Sequence, residues 1–325
     1  MPKILVTGIS GFVGKETTKE ILKNAENKVV GLIRQNTDSM RLSDFTDKVE
    51  FIESDLCDIN NLRKILDCQD FDIVVHIGAL RGGRPDSKDK YYLANVEATA
   101  IIANYCLSHK AKLIYCSSVG VFGAIPQELP ANESTVRQDD NYYHFTKIRS
   151  ESIISELNKE GLESVIIRPA ITYGIGDYGF PYTLCKLVDK KMMLLPSNQV
   201  KIHMTNVHSL AKAFAYFVNN NGQGAGKKYI VADRNPVLLS DLVELISQKI
   251  HNRQYPKNRK VPATLFSLGR KLAKLLNSEL FVSRFELISQ SWYYDVDTTY
   301  GDIPLENIET LENFDEVINW YLRSK

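Results

Sequence analysis

Tyr143 and Lys147 stand four residues apart in a stretch, Asn141 to Glu160, that reads as helix, so their side chains share a face. A phenol is a poor base at neutral pH, because its ordinary pKa lies near 10. A neighbouring ammonium favours the phenolate, and a partly desolvated cleft enlarges that effect. Reaching the neighbourhood of pH 7 takes about 3 pKa units, roughly 4 kcal/mol. Tyr142 is out of register with Lys147, which leaves Tyr143 as the candidate. Ser118 follows an apolar run, Leu113 to Cys116, and its hydroxyl could bridge a substrate oxygen and the phenol. Together the three suggest proton transfer at an alcohol or a carbonyl.

A second cluster speaks of phosphate. Gly8, Gly11 and Gly14 form a G-x-x-G-x-x-G turn between an apolar run and a helical stretch, with Ser10, Phe12 and Val13 inside it. Gly8 permits a tight turn, Gly11 lets backbone approach a pyrophosphate, and Gly14 lets helix pack on strand. The helix start adds free N–H groups and partial positive charge. Arg34 closes the next apolar run, about twenty residues on, where an acid would grip the ribose of NAD. An arginine pairs instead with the 2′-phosphate of NADP, so NADP is the expected cofactor and NAD the alternative. Asp55, after the third run, either meets the adenine edge or caps a helix starting near Asn60.

These residues need a scaffold. Ile4 to Thr7, Lys28 to Ile33, Val49 to Glu53, Asp72 to His76, Leu113 to Cys116 and Ser164 to Arg168 are β-branched-rich runs, fit for strands buried on both faces. Phe12 to Lys23, Asn61 to Leu66, Tyr91 to Ser108 and Asn141 to Glu160 alternate with them as helices. Gly161 falls where the last should stop. Such alternation predicts a doubly wound Rossmann α/β fold of about seven parallel strands with a smaller mixed C-terminal lobe. Helices at Ser209 to Val218 and Leu239 to Ile250, and a strand at Lys228 to Val231, are also expected. Gly174, Gly176, Gly179 and Pro181 read as a loop. The division expected is 1–168 plus 203–232 for the nucleotide, and 169–202 plus 233–325 for the substrate.

Composition narrows the function. Forty Lys and Arg against 39 Asp and Glu leave a net charge of +1, without the excess a polyanion binder carries, so nucleic acid is not expected as a partner. With 44% hydrophobic and 24% charged residues the chain is of globular composition. Five scattered cysteines without a C-x-x-C pair suit thiols in a reducing cytoplasm. No apolar run reaches the ~18 residues of a membrane span. A cytoplasmic protein without a signal segment is expected.

Read in order, the motifs converge on one family. The glycine turn at Gly8, Asp55-Leu56, Gly78-Ala79 after Val75, Asn95-Val96, Ser117-Ser118, Tyr143-x-x-x-Lys147 and Arg168-Pro169-x-x-x-Tyr173-Gly174 resemble the extended short-chain dehydrogenase/reductases, the NAD-dependent epimerase/dehydratase group. The resemblance implies Ser118, Tyr143 and Lys147 as a catalytic triad, with Lys147 also on the nicotinamide ribose. It implies that Gly78, Ala79 and Leu80 lie along the cofactor with Leu56 and Asn95, and that Pro169 and Ile171 line the nicotinamide. It implies a homodimer. Hydride transfer between NADP(H) and a secondary alcohol or ketone is the activity expected, a UDP-sugar 4-epimerase or dehydratase the alternative, and a non-catalytic NADP sensor the remote one. Two departures weaken the sugar-nucleotide option. Ile171 stands where such enzymes commonly carry Asn, and Ser209 where they carry Asp. The late Trp292-Tyr293-Tyr294 and Trp320-Tyr321 segments are similar to the 3β-hydroxysteroid-dehydrogenase-like branch.

Other signals are weaker. Arg81 and Arg84, in a glycine-rich loop after the fourth strand, suit an anionic substrate or plain solvation. His203 and His208 read as surface or packing residues rather than metal ligands. His76 reads as a hydrogen-bonded core histidine, and His144 as pointing away from Tyr143. From Arg253 to Lys274 seven basic residues run without an acid. Leu265, Leu268, Leu272 and Leu275 recur there at helical spacing, predicting an amphipathic helix. It would be a solvated face docked by its leucines, a cationic lid for a phosphorylated substrate, or a peripheral membrane contact.

Overall fold

Period-two burial separates the two faces of the central sheet. Ile4 and Val6 point to one side and Leu5 to the other, and all three are inaccessible to solvent. The computed structural model describes residues 1–45, 47–82, 86–275 and 285–325. Among them, seven parallel strands form one sheet. They are β1 (Lys3–Thr7), β2 (Lys28–Ile33), β3 (Val49–Glu53), β4 (Ile73–His76), β5 (Lys112–Cys116), β6 (Ser164–Pro169) and β11 (Lys228–Val231). Their spatial order is β3-β2-β1-β4-β5-β6-β11. The order reverses between β1 and β4, where Thr7 pairs with His76. That reversal is the crevice where open sheets of this kind bind ligands.

Helices cover both faces. The side of Ile4, Val6 and Val75 receives α1 (Phe12–Ile21) and α7 (Val207–Asn219), whose Leu210, Phe214 and Phe217 are buried. The side of Leu5, Val30 and Val74 receives α2 (Ile59–Asp67), α4 (Ala98–His109) and α5 (Tyr142–Lys159). Gly161 adopts φ +106° just after α5, the left-handed stop its position predicts. The expected helix from Tyr91 to Ser108 is built in three pieces. α3 (Lys88–Tyr92) leads through a π turn, Leu93–Glu97, into α4. Such turns commonly aim side chains at functional sites.

A third apolar core gathers α6 (Phe180–Asp189), α8 (Leu239–His251), the C-terminal helix Asp315–Arg323 and Trp292. Two expectations are corrected here. Pro181 lies in the first turn of α6, with Gly179 as its N-cap, rather than in a loop, because proline needs no donor at a helix start. On α9 (Ala263–Leu275), Leu265 and Leu268 lie away from the buried side. Phe266 is 4% exposed, whereas Leu265 and Leu268 are 53% and 64% exposed. Arg84 and the side chains of Arg270, Leu272, Lys274 and Leu275 lie outside the described residues.

Candidate active site

The crevice begins where two loops nearly touch. Gly8 sits at φ +73°, and a Cβ there would lie 2.7 Å from the Gly78 backbone. A Cβ on Gly14 would come within 2.1 Å of the Gly8 carbonyl, so helix α1 can approach β1 only as glycine. Gly11 caps α1 without a side-chain bond, and the first turn holds no acid, which leaves its N–H groups for an anion. Ser10 and Val13 are partly buried beside it, and Phe12 reaches across to Gly174. Beneath the crevice, His76 is bonded to Thr7 Oγ1 (2.7 Å) and Thr99 Oγ1 (3.0 Å), the core role its sequence predicts. Burial holds its pKa down to about 3, with the Lys147 charge adding to the effect, so it stays neutral.

At the ends of β2 and β3, a cleft of about 550 Å³ is lined by Arg34, Ser54, Asp55 and Asn61. Arg34 is exposed, and it has no ion pair among the described residues, leaving the guanidinium free. Helix α2 is capped by Asp58, whose Oδ1 accepts from Asn61 N (3.0 Å). Asp55 therefore is not the cap; its Oδ1 accepts from Cys57 N (2.8 Å). Leu56 packs on Gly78. Leu80 is held by Asn95, which accepts from its N–H (2.7 Å) and donates to its carbonyl (2.9 Å). Asn95 belongs to the π turn and also donates to Thr146 Oγ1 (3.0 Å) on α5. Ala79 is partly buried between them.

At the reaction end, α5 presents Tyr143, Lys147 and Glu151 on one face. The Lys147 ammonium donates to the Cys116 carbonyl (2.7 Å) and Tyr115 Oη (3.2 Å) and lies 6.0 Å from the Tyr143 ring centre. Two of its three donors are thus taken, and the third has no partner among the described residues. Burial pushes the Tyr143 phenol up, while the Lys147 charge and the nearby Ser118 hydroxyl pull it down without cancelling the rise. Ser118 Oγ accepts from Gly120 N (3.0 Å). Gly82 lies over the Tyr143 ring, where a Cβ would touch it at 3.4 Å.

Several neighbours were not singled out by sequence. His144 does not point away: its ring rests on Gly120, where a Cβ would lie 2.5 Å from it, and Nδ1 pairs with Asp140 Oδ1 (2.5 Å). Tyr115 is a strand residue with nothing in its spacing to mark it. Behind the site, Glu151 accepts from Ser117 Oγ (2.5 Å), Arg168 Nε (2.8 Å) and Arg137 (2.8 Å), and Arg168 also pairs with Glu133. Glu151 stands one turn beyond Lys147, on the same helix face, but that spacing does not mark its partners on β6 and in the loop before α5. Arg81 reaches Asp177 Oδ1 (3.0 Å) across the mouth of the cleft. Pro169 ends β6, and Ile171 opens β7 (Ile171–Tyr173), packed on the third core. His203 is buried against the Asp233 carbonyl (2.7 Å), and His208 is half-exposed between Glu16 and Glu316.

The sheet order, the glycine crossing at its switch point and the bare start of α1 define a Rossmann dinucleotide-binding protein. The chain belongs to the NAD-dependent epimerase/dehydratase family, whose pattern matches residues 4–232. A 2-alkyl-3-oxoalkanoate reductase of Shewanella oneidensis is 25% identical over 94% of this chain and 83% of its own. A putative UDP-arabinose 4-epimerase of Arabidopsis thaliana is 30% identical, but over 50% of this chain and 41% of that protein. Alignment to that epimerase thus spans about half of the chain. Among solved structures, a UDP-glucuronic acid 4-epimerase from Bacillus cereus in complex with NAD superposes with a TM-score of 0.77 at 18% identity, covering 99% of each chain. The described residues contain no helix long and apolar enough to cross a membrane.

Proposed function

We propose that the chain reduces a ketone, or oxidises the corresponding secondary alcohol, with NADP(H). The observation that carries this reading is the Lys147 ammonium, one helical turn from Tyr143, 6.0 Å from its ring centre and with a donor left unpartnered among the described residues. A protonated phenol is ready to donate to a carbonyl oxygen. Lys147 would stabilise the phenolate left behind, and Ser118 would orient the substrate oxygen. A bound dinucleotide supplies the hydride donor or acceptor. Gly8, Gly11 and the bare start of α1 would hold its pyrophosphate, Arg34 a 2′-phosphate, and the free donor of Lys147 the ribose. Residues 1–168 and 203–232 would bind the nucleotide, and 169–202 with 233–325 the substrate.

A 3-oxo carboxylate bearing apolar chains is the substrate class we favour. The near full-length likeness to the reductase supports it, as does Ile171, which offers no amide to a sugar diphosphate. Sugar-nucleotide 4-epimerisation is the second reading, supported by the epimerase relatives. Purified protein should consume NADPH when given 3-oxo acids. Interconversion of UDP-sugars with no net change in the cofactor, and no reaction with ketones, would establish the second reading instead. Cofactor choice is tested separately. NADP should bind about ten- to a hundredfold more tightly than NAD through a charge-assisted contact of roughly 1.5–3 kcal/mol. Arg34→Ala should erase most of that ratio in calorimetric titrations; equal wild-type affinities would remove the assignment.

A further inference from the structure

Helix α9 packs the reverse of what its leucine spacing suggests. Residues two apart on a helix point to nearly opposite sides. Phe266 is buried, so Leu268 projects outward, with Leu265 exposed one turn earlier. Lys271 is exposed on the following turn. Two residues before α9, the strand pair β8 (Leu195–Pro196) and β13 (Lys260–Val261) sets Lys260 opposite Leu195. Leu194 and Met192, in the segment just before β8, are 40% and 59% exposed. Lys190, Arg253, Lys257 and Lys260 are exposed on these same segments. None of the four pairs with a carboxylate among the described residues. Nearby acids are engaged elsewhere. Asp189 pairs with Lys325 (2.6 Å), and Glu244 accepts from Tyr255 N (3.0 Å).

We propose that this face, Leu265, Leu268 and Lys271 of α9 with Lys257 and Lys260 on the segment leading into it, docks on the anionic headgroups of a lipid bilayer. Exposed leucines with unpaired lysines beside them are what an interfacial helix presents, apolar groups entering the acyl boundary and ammonium groups staying at headgroup level. Charge selects the occupant. A second copy meeting this face symmetrically would bring the same cations together. A nucleic acid would satisfy the cations but leave the leucines in water.

The full-length protein should co-sediment with vesicles of phosphatidylcholine mixed with phosphatidylglycerol, and not with phosphatidylcholine alone. Added salt should release it. Leu265→Gln/Leu268→Gln and, separately, Lys257→Gln/Lys260→Gln should each lower the bound fraction several-fold with unchanged circular dichroism. These positions are exposed, so either pair can be changed without opening a core. The proposal is overturned if the wild type does not sediment with anionic vesicles at low salt, or if both pairs sediment like the wild type. It is equally overturned if light scattering shows a dimer that Leu265→Gln/Leu268→Gln dissolves, which would make a second copy the occupant.

Discussion

Tyr143 owes its environment to residues far away in sequence. Gly82 covers its ring, and the loop of Ser118 and Gly120 lies against the ring of the adjacent His144. Replacing only the hydroxyl tests the proposed proton transfer cleanly. Tyr143→Phe should lower turnover by about 10²- to 10⁴-fold while the cofactor dissociation constant stays within a few-fold, read by steady-state kinetics and cofactor fluorescence. Unchanged turnover would end the proposed mechanism. Tyr143, Lys147 and the glycine turn were legible in the sequence because their spacing is local. Arg81 and Asp177 were not paired in advance, since 96 positions separate them and either alone looks like a solvated loop charge.

Helix α5 is the element that aligns the reaction end, and its anchor is electrostatic. Glu151 and Arg168 are both inaccessible to solvent. Burial alone would raise the Glu151 pKa, but Arg168, Arg137 and Ser117 outweigh it and hold the carboxyl below its usual range. Removing Glu151 leaves the buried Arg168 guanidinium with the half-exposed Glu133 as its remaining counter-charge. Glu151→Ala should therefore cost about 3–5 kcal/mol in denaturant unfolding. Glu151→Leu combined with Arg168→Met should recover a large part of that loss. If the double variant is no better than the single one, the cost lies in packing rather than in the orphaned charge. The helix itself could be read from its composition. Its anchor could not, because Glu151 looks like any helical acid until β5 and β6 are placed behind it. Helix α6 shows the opposite case: Gly179 and Pro181 read as loop formers in the sequence, yet one caps the helix and the other lies in its first turn.

Across the whole molecule, Asp233 ties the sheet to the third core. Its carboxylate accepts from Tyr173 Oη (2.7 Å), Thr310 Oγ1 (2.6 Å) and Asn206 N (2.8 Å), with no cation on it among the described residues. Burial pushes its pKa up to about 6, and those three donors do not offset it. A folded-state value above the unfolded one means that the native state holds the proton more tightly. This group's contribution is intact below about pH 4 and is lost as pH rises through 6, by about 3 kcal/mol. Asp233→Asn should remove that slope, gaining on the wild type in melting temperature between pH 4.5 and pH 7. Parallel curves for the two proteins would refute the assignment. Seven parallel strands were readable from the apolar runs and the helices between them. Of the third core α8 was expected, whereas α6, the C-terminal helix and the short strands come from segments without a repeating pattern.

Strand β11 has a consequence for how the protein is made. It completes the sheet beside β6, pairing Lys228 with Ile166, and is itself clasped by Thr299 and Asp302, which bond the Ile230 carbonyl and Tyr229 Oη. A ribosome delivers β6 some sixty residues before its neighbour. Throughout that interval the emerging chain carries a raw strand edge, open to any passing extended segment. Vectorial synthesis thus exposes this protein to mispairing at one predictable moment, and holding chaperones should matter most between the emergence of β6 and that of β11.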